Sequence, residues 1–180
     1  LGLHEATEGM VRSLFPDQTG MLVVDQVLPE TAASEWLEVG DILVKVDGNY
    51  VTDFVPMEAV LDSRVGGTAS LVLERNGELL HREVPIQNLH TITPDEYIQF
   101  GDAVVHNLSY QQARHFNRAL DGVYVANPGY VLGTAAIPRS SIIVALNGAT
   151  VSDLNSLESA LEGLTDRQET AVRYFTFENP

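Results

Sequence analysis

Repetition constrains this chain more than any other feature. Gly40-Asp41-Ile42-Leu43-Val44-Lys45-Val46-Asp47-Gly48 is followed by Asn49-Tyr50-Val51-Thr52-Asp53-Phe54. One hundred positions later stands Ser140-Ser141-Ile142-Ile143-Val144-Ala145-Leu146-Asn147-Gly148, then Ala149-Thr150-Val151-Ser152-Asp153-Leu154. The same offset carries Met57-Glu58 and Leu61 onto Leu157-Glu158 and Leu161. Upstream, Gly20-Met21-Leu22-Val23-Val24 has a counterpart in Gly122-Val123-Tyr124-Val125-Ala126. A chain of 180 residues with this pattern is two copies of one module of ~80–90 residues, within the usual range of domain sizes.

Each copy reads as mixed α/β of the α+β kind. Residues 20–28 and 41–46 are short β-branched-rich runs bounded by turn residues, as strands are. Asp47-Gly48 and Asn147-Gly148 tolerate positive φ and predict tight hairpin turns. Pro56 suits the first turn of a helix, and Met57, Val60, Leu61 and Arg64 recur behind it at helical spacing. Residues 68–74 alternate, Asn76-Gly77 is a second hairpin turn, and residues 78–86 return as a strand. In the second copy residues 169–175 match the outgoing strand, with no returning strand before Pro180. The second module is therefore expected to be truncated, or completed by another segment. Between the copies, Thr93-Pro94-Asp95-Glu96 predicts a helix start, and Ser109-Tyr110-Gln111-Gln112 predicts another, through Ala113 to Phe116. The expected organisation is a first module over 1–87, a helical connector over 88–99 and a second module over 100–180.

Composition removes several function classes. The formal net charge is −15, from 25 acids against 10 bases, with Lys45 the only lysine. No basic patch is available to release counterions from a phosphate backbone, which excludes nucleic acid, and anionic membrane surfaces are disfavoured for the same reason. No apolar stretch approaches the ~20 residues of a membrane span. With no cysteine there is no disulfide, thiol catalysis or cysteine-ligated zinc. His4, His81, His90, His106 and His115 are scattered without metal-ligand spacing, and no Gly-x-Ser-x-Gly segment is present. Residues 47–58 have the length of a calcium loop, but Val51 and Thr52 stand where an oxygen ligand and a glycine are required. Glu5/Glu8 and Asp95/Glu96 are chance clusters in an acid-rich chain, and Gly66-Gly67 is a turn without a phosphate-binding lysine. No catalytic residue, metal or cofactor is expected. The sequence opens at Leu1 without an initiator Met or a signal peptide and reads as a piece of something longer.

The strand signature Gly-Asp-Ile-Leu-x-x-Val-Asp-Gly, followed by a short strand and a helix, resembles the PDZ domain, in the permuted order of HtrA/DegP-type serine proteases. Leu1-Gly2-Leu3 is similar to that family's carboxylate-binding loop, which precedes the first strand. Asn88-Leu89-His90-Thr91-Ile92-Thr93-Pro94-Asp95 and His106-Asn107-Leu108-Ser109-Tyr110-Gln111-Gln112-Ala113-Arg114 resemble the first PDZ pair of a duplicated branch known from fungal nuclei and plant chloroplasts. The resemblance implies two small, partly open antiparallel sheets or barrels capped by helices. It implies a non-catalytic, peptide-binding and regulatory pair within an endopeptidase of protein quality control, set in the nucleus or chloroplast. It also implies a separate trypsin-like domain of the parent, outside this chain. The implied partners are C-terminal or unfolded polypeptide segments, the protease domain of the same chain and further copies of an oligomeric parent. A scaffold that packs on the protease domain without binding peptide is the competing reading.

In such a groove an extended peptide adds itself to a sheet edge beside a helix, and loop N–H groups hold its terminal carboxylate. In the first copy Leu1, Gly2 and Leu3 would form the nest and Met57, Val60 and Leu61 the helix wall, unless those three face the core. In the second copy the corresponding loop is Phe100-Gly101-Asp102, with Leu157 and Leu161 on the helix. Ser140-Ser141 replaces the Gly-Asp pair there, and Asp102 falls on the loop glycine, where its charge would repel a peptide terminus. Binding is therefore expected in the first copy and little or none in the second.

Overall fold

The computed structural model describes residues 5–17 and 20–176, apart from the side chain of Ala6. The chain divides into two compact units, Leu1–Asn88 and Leu89–Pro180. No helix among the described residues is long and apolar enough to cross a membrane.

The first unit contains α1 (Glu5–Leu14), β1 (Leu22–Val23), a 3₁₀ turn (Ala32–Glu35), β2 (Ile42–Val46), β3 (Asn49–Tyr50), α2 (Phe54–Asp62), β4 (Thr68–Arg75) and β5 (Glu78–Pro85). The strands form an antiparallel sheet in the order β1-β2-β4-β5, with β3 folded back on β2. Asp47 (φ 46°) with Gly48 (φ 80°), and Asn76 (φ 53°) with Gly77 (φ 86°), take left-handed backbone at the two expected hairpin turns. Leu43, Val46, Leu71, Leu73 and Val84 form the core, against which Met57, Val60 and Leu61 of α2 pack. Lys45 carries its ammonium 4.2 Å from the centre of the Tyr50 ring.

The second unit runs β6 (Ile98–Phe100), β7 (Ala103–Asn107), α3 (Tyr110–Phe116), β8 (Val123–Asn127), α4 (Gly129–Thr134), β9 (Ile142–Leu146), β10 (Ala149–Thr150), α5 (Leu154–Glu162) and β11 (Val172–Phe175). Its antiparallel sheet has the order β10-β9-β8-β7-β6, with β11 on β9. The repeat is written in backbone hydrogen bonds. Val24 N–H donates to the Asp41 carbonyl and Val125 N–H to that of Ser141, both at 2.8 Å. Asp47 N–H reaches the Ser70 carbonyl as Asn147 N–H reaches that of Ala171, again at 2.8 Å. Val51 bonds to Val44 at 3.2 Å and Val151 to Val144 at 2.9 Å.

Three expectations are corrected. The first strand is confined to Leu22–Val23, whereas Pro56 lies in the first turn of α2 as expected. Thr93-Pro94-Asp95-Glu96 opens no helix: a 3₁₀ turn spans Leu89–Ile92, and the Thr93 hydroxyl donates back to the Leu89 carbonyl at 2.8 Å instead of capping forward. Ile98 and Gln99, expected in a helical connector, belong to β6. The Ser109 box does form, with Gln112 N–H donating to the Ser109 hydroxyl at 3.2 Å and Ser109 N–H to the Gln112 carboxamide oxygen at 3.0 Å. Helices α1 and α4 were not anticipated.

The two copies solve one polar problem differently. Asp41 is 1% exposed and accepts from Arg75 Nε at 2.7 Å, Arg75 Nη2 at 2.8 Å and Glu38 N–H at 2.9 Å. Arg75 also pairs with Glu38 and donates to the Trp36 carbonyl at 3.2 Å. Burial pushes the Asp41 carboxyl up, but the Arg75 fork, the Glu38 N–H and the charges of Arg75 and Arg82 outweigh it and hold it below the usual range. In the second unit the same place is taken by Ser141, fully buried, whose hydroxyl donates to the Pro138 carbonyl at 2.8 Å.

Candidate functional site

In the first unit, Leu1, Gly2 and Leu3 lie outside the described residues. The helix wall is described. Met57, Val60 and Leu61 are half-buried at the margin of the core, and α2 has no fully buried residue. At the start of the same helix Phe54 is 58% and Val55 73% exposed. The helix therefore lends only some of its apolar surface to the core and leaves the rest to solvent.

Its counterpart is seated differently. On α5, Leu154 and Leu157 are buried in the core, Leu157 at 1% exposure, while Ala160 and Leu161 are half-buried against the same cluster. Leu157, expected on a groove wall, is a core residue. The seating is fixed at the N-terminus of α5. The Asp153 carboxylate accepts from Ser156 N–H at 2.8 Å, and the Ser156 hydroxyl reaches back to Asp153 N–H at 3.0 Å. The Ser156 N–H, then its hydroxyl, hold the Asp153 carboxyl below its ordinary range. Leu154 N–H is bonded to the Asn107 side-chain oxygen at 2.7 Å, which ties the helix to the end of β7.

The loop of the second unit is a hairpin turn. Gly101 (φ 49°) and Asp102 (φ 60°) both take left-handed backbone, the requirement of a two-residue type I′ turn. They join β6 to β7 in the register Phe100↔Ala103, Gln99↔Val104 and Ile98↔Val105. Helix α4 grips this turn. Tyr130 and Val131 N–H groups both donate to the Gly101 carbonyl at 3.2 Å. Gly129 (φ 54°) lies so close that a Cβ on it would meet the Asp102 carbonyl carbon at 2.1 Å and Ala103 N at 2.2 Å. Only glycine permits that approach. The Asp102 backbone, expected in an anion nest, is a hairpin corner. Strand β6 was missed because Gly-Asp is a weaker turn signal than Asp-Gly, although the alternation in Ile98-Gln99-Phe100 pointed to a strand.

His106 has Nδ1 2.7 Å from the Asn107 carbonyl and its ring centre 5.1 Å from that of Tyr124. Among the described residues, no group of three or more acidic or histidine side chains is placed to hold a metal ion.

A PDZ-like domain family model matches residues 91–167. The chain is 43% identical over 98% of its length to Protease Do-like 7 of Arabidopsis thaliana, and 37% identical over 97% to the pro-apoptotic serine protease NMA111 of Phaeosphaeria nodorum. The chain is a PDZ region of the HtrA-type serine protease family. It spans 16% and 17% of the length of those two relatives. A PDZ domain-containing protein of Schizosaccharomyces pombe is 35% identical over 97% of this PDZ region. Among solved structures, the PDZ domain of an SdrC-like protein from Listeria monocytogenes aligns over 39% of the chain at 18% identity and a TM-score of 0.32.

Proposed function

We propose that the chain is the non-catalytic, peptide-binding and regulatory PDZ pair of an HtrA-like serine endopeptidase active in protein quality control. The first module takes apolar C-terminal or extended segments by β-strand addition, with Leu1, Gly2 and Leu3 as the carboxylate nest and Met57, Val60 and Leu61 as the wall. We take the first module as residues 1–88 and the second as 89–180, so that the stretch expected as a separate connector is shared between them. The protease domain of the parent and further copies of the parent are its other partners. The observation that carries this reading is the apolar face that α2 leaves half-open to solvent, where α5 buries its own.

Calorimetric titration with peptides ending in apolar residues tests it. Val60→Asp should weaken binding at least ~10-fold, since a charge would have to be desolvated against the ligand. Gly2→Asp should do the same only for peptides with a free carboxylate, and amidated peptides separate the two contributions. A folded chain on which no peptide perturbs α2 overturns the proposal. A scaffolding role is the better reading for the second module, and the pairing of β6 with β7 favours it.

A further inference from the structure

A peptide held by its carboxylate at the loop before the first strand must run antiparallel to that strand, with its last residue beside the loop. In the second module the strand is β7, and one of its edges is paired with β8. The other edge carries β6, antiparallel and in register over three pairs, with Phe100 next to the turn. Ile98 and Phe100 are half-buried against the core cluster that includes Val105, Leu154 and Leu157, while Gln99 between them is exposed. The segment thus has the direction, position and apolar-x-apolar pattern of a bound C-terminus, and its chain continues through Gly101 where a ligand would end.

We infer that β6 is a built-in occupant of the peptide-accepting edge of the second module. The inference rests on the proposed reading of β7 as an accepting edge. Asp102 then matters as a turn residue rather than as a repelling charge. The hairpin forms with the high effective concentration of a short tether, and α4 fastens its corner through the Gly101 carbonyl. An incoming strand of the same apolar-x-apolar class must first displace β6, so its apparent affinity is reduced by the fraction of molecules in which β6 is released.

The test uses the whole chain, a decapeptide ending in Ile-Gln-Phe, and amide shifts read separately for α2 and for Val104 and Val105. Ile98→Ser with Phe100→Ser should release β6 and strengthen binding at Val104 and Val105 at least ~10-fold, whereas Asp102→Asn should change nothing. A folded release variant that gains no binding overturns the inference. Gln99→Cys with Val104→Cys places a lone disulfide across directly opposed residues of a cysteine-free chain and keeps the edge readable if the release variant does not fold. At ~1 mM peptide, the order of a tethered segment's effective concentration, the amides at positions 104 and 105 should stay unshifted or show shifts that oxidation of the clamp abolishes. Shifts that persist in the oxidised clamp overturn the inference. Loss of binding at α2 reports failure of the proposed function instead, because it is read in the other unit.

Discussion

Replacing Arg75 by alanine leaves the Asp41 carboxylate, 1% exposed, with the Glu38 N–H as its one remaining partner of those described above. Breaking a buried ion pair from one side costs about 3–5 kcal/mol, because the surviving charge stays desolvated. The Arg75 side chain is 23% exposed, so water can enter the vacated space and the lower figure, ~3 kcal/mol, applies. For a unit of this size that lowers the melting temperature by roughly 12–24 °C. Trp36, the only tryptophan, lies beside the pair and reports the first unit alone. The second unit supplies the control. Arg75 follows Glu74, opposite Ile42, as Thr176 follows Phe175, opposite Ile142. Asp41→Ser with Arg75→Thr therefore imports the neutral residues of the second unit, and the pair together should cost ~1 kcal/mol or less. The pH dependence has a definite sign. The folded pKa of Asp41 lies below its unfolded value, so the stabilisation is complete above about pH 4 and is lost as pH falls through the folded value. The double variant should lose that dependence. A cost below ~1 kcal/mol for Arg75→Ala, or a double variant no more stable than the single, would refute the reasoning.

Three further outcomes follow from the same geometry. Asp153→Ala removes a capping box and should destabilise the second unit by ~1 kcal/mol in urea unfolding at neutral pH, with the difference fading as pH falls below about 4. Gly122→Ala puts a Cβ 2.7 Å from Ile142 Cγ2 at φ +105°, whereas Gly148→Ala at φ +83° meets nothing within 4 Å. Gly148→Ala should cost about 1–2 kcal/mol of backbone strain and Gly122→Ala about 1–3 kcal/mol more, read by thermal unfolding monitored by NMR. The purified chain should leave casein intact at neutral pH; turnover abolished by a single Ser or His substitution would show otherwise.

Much of the architecture was legible because its signals are local. Asp47-Gly48, Asn76-Gly77 and Asn147-Gly148 each adopt the backbone their side chains allow, and the Ser109 box closes as its spacing predicts. The Thr93 box has the same capping pattern but is followed by Tyr97-Ile98-Gln99-Phe100, whose alternation favours pairing with β7. A capping signal without a helical apolar run behind it cannot offset nucleation. Leu157 and Met57 occupy equivalent positions at the same spacing, yet one is in the core and the other at its margin. Periodicity gives the apolar face of a helix but not how deeply it sinks. Gly129 was invisible for a related reason: its importance comes from the backbone of Asp102, distant in sequence.

The placement of β6 at the entrance of the second unit also has a mechanical consequence. A load applied through residues 89–97, across the strand direction, reaches the hairpin at Ile98, its open end. The three pairs would then open in succession, like a zipper, at a much lower force than if the same bonds were sheared together. The corner at Gly101, doubly bonded to α4, is the point where such peeling stops. Tension in the preceding segment would therefore uncover one edge of β7 while the remainder of the fold stayed closed.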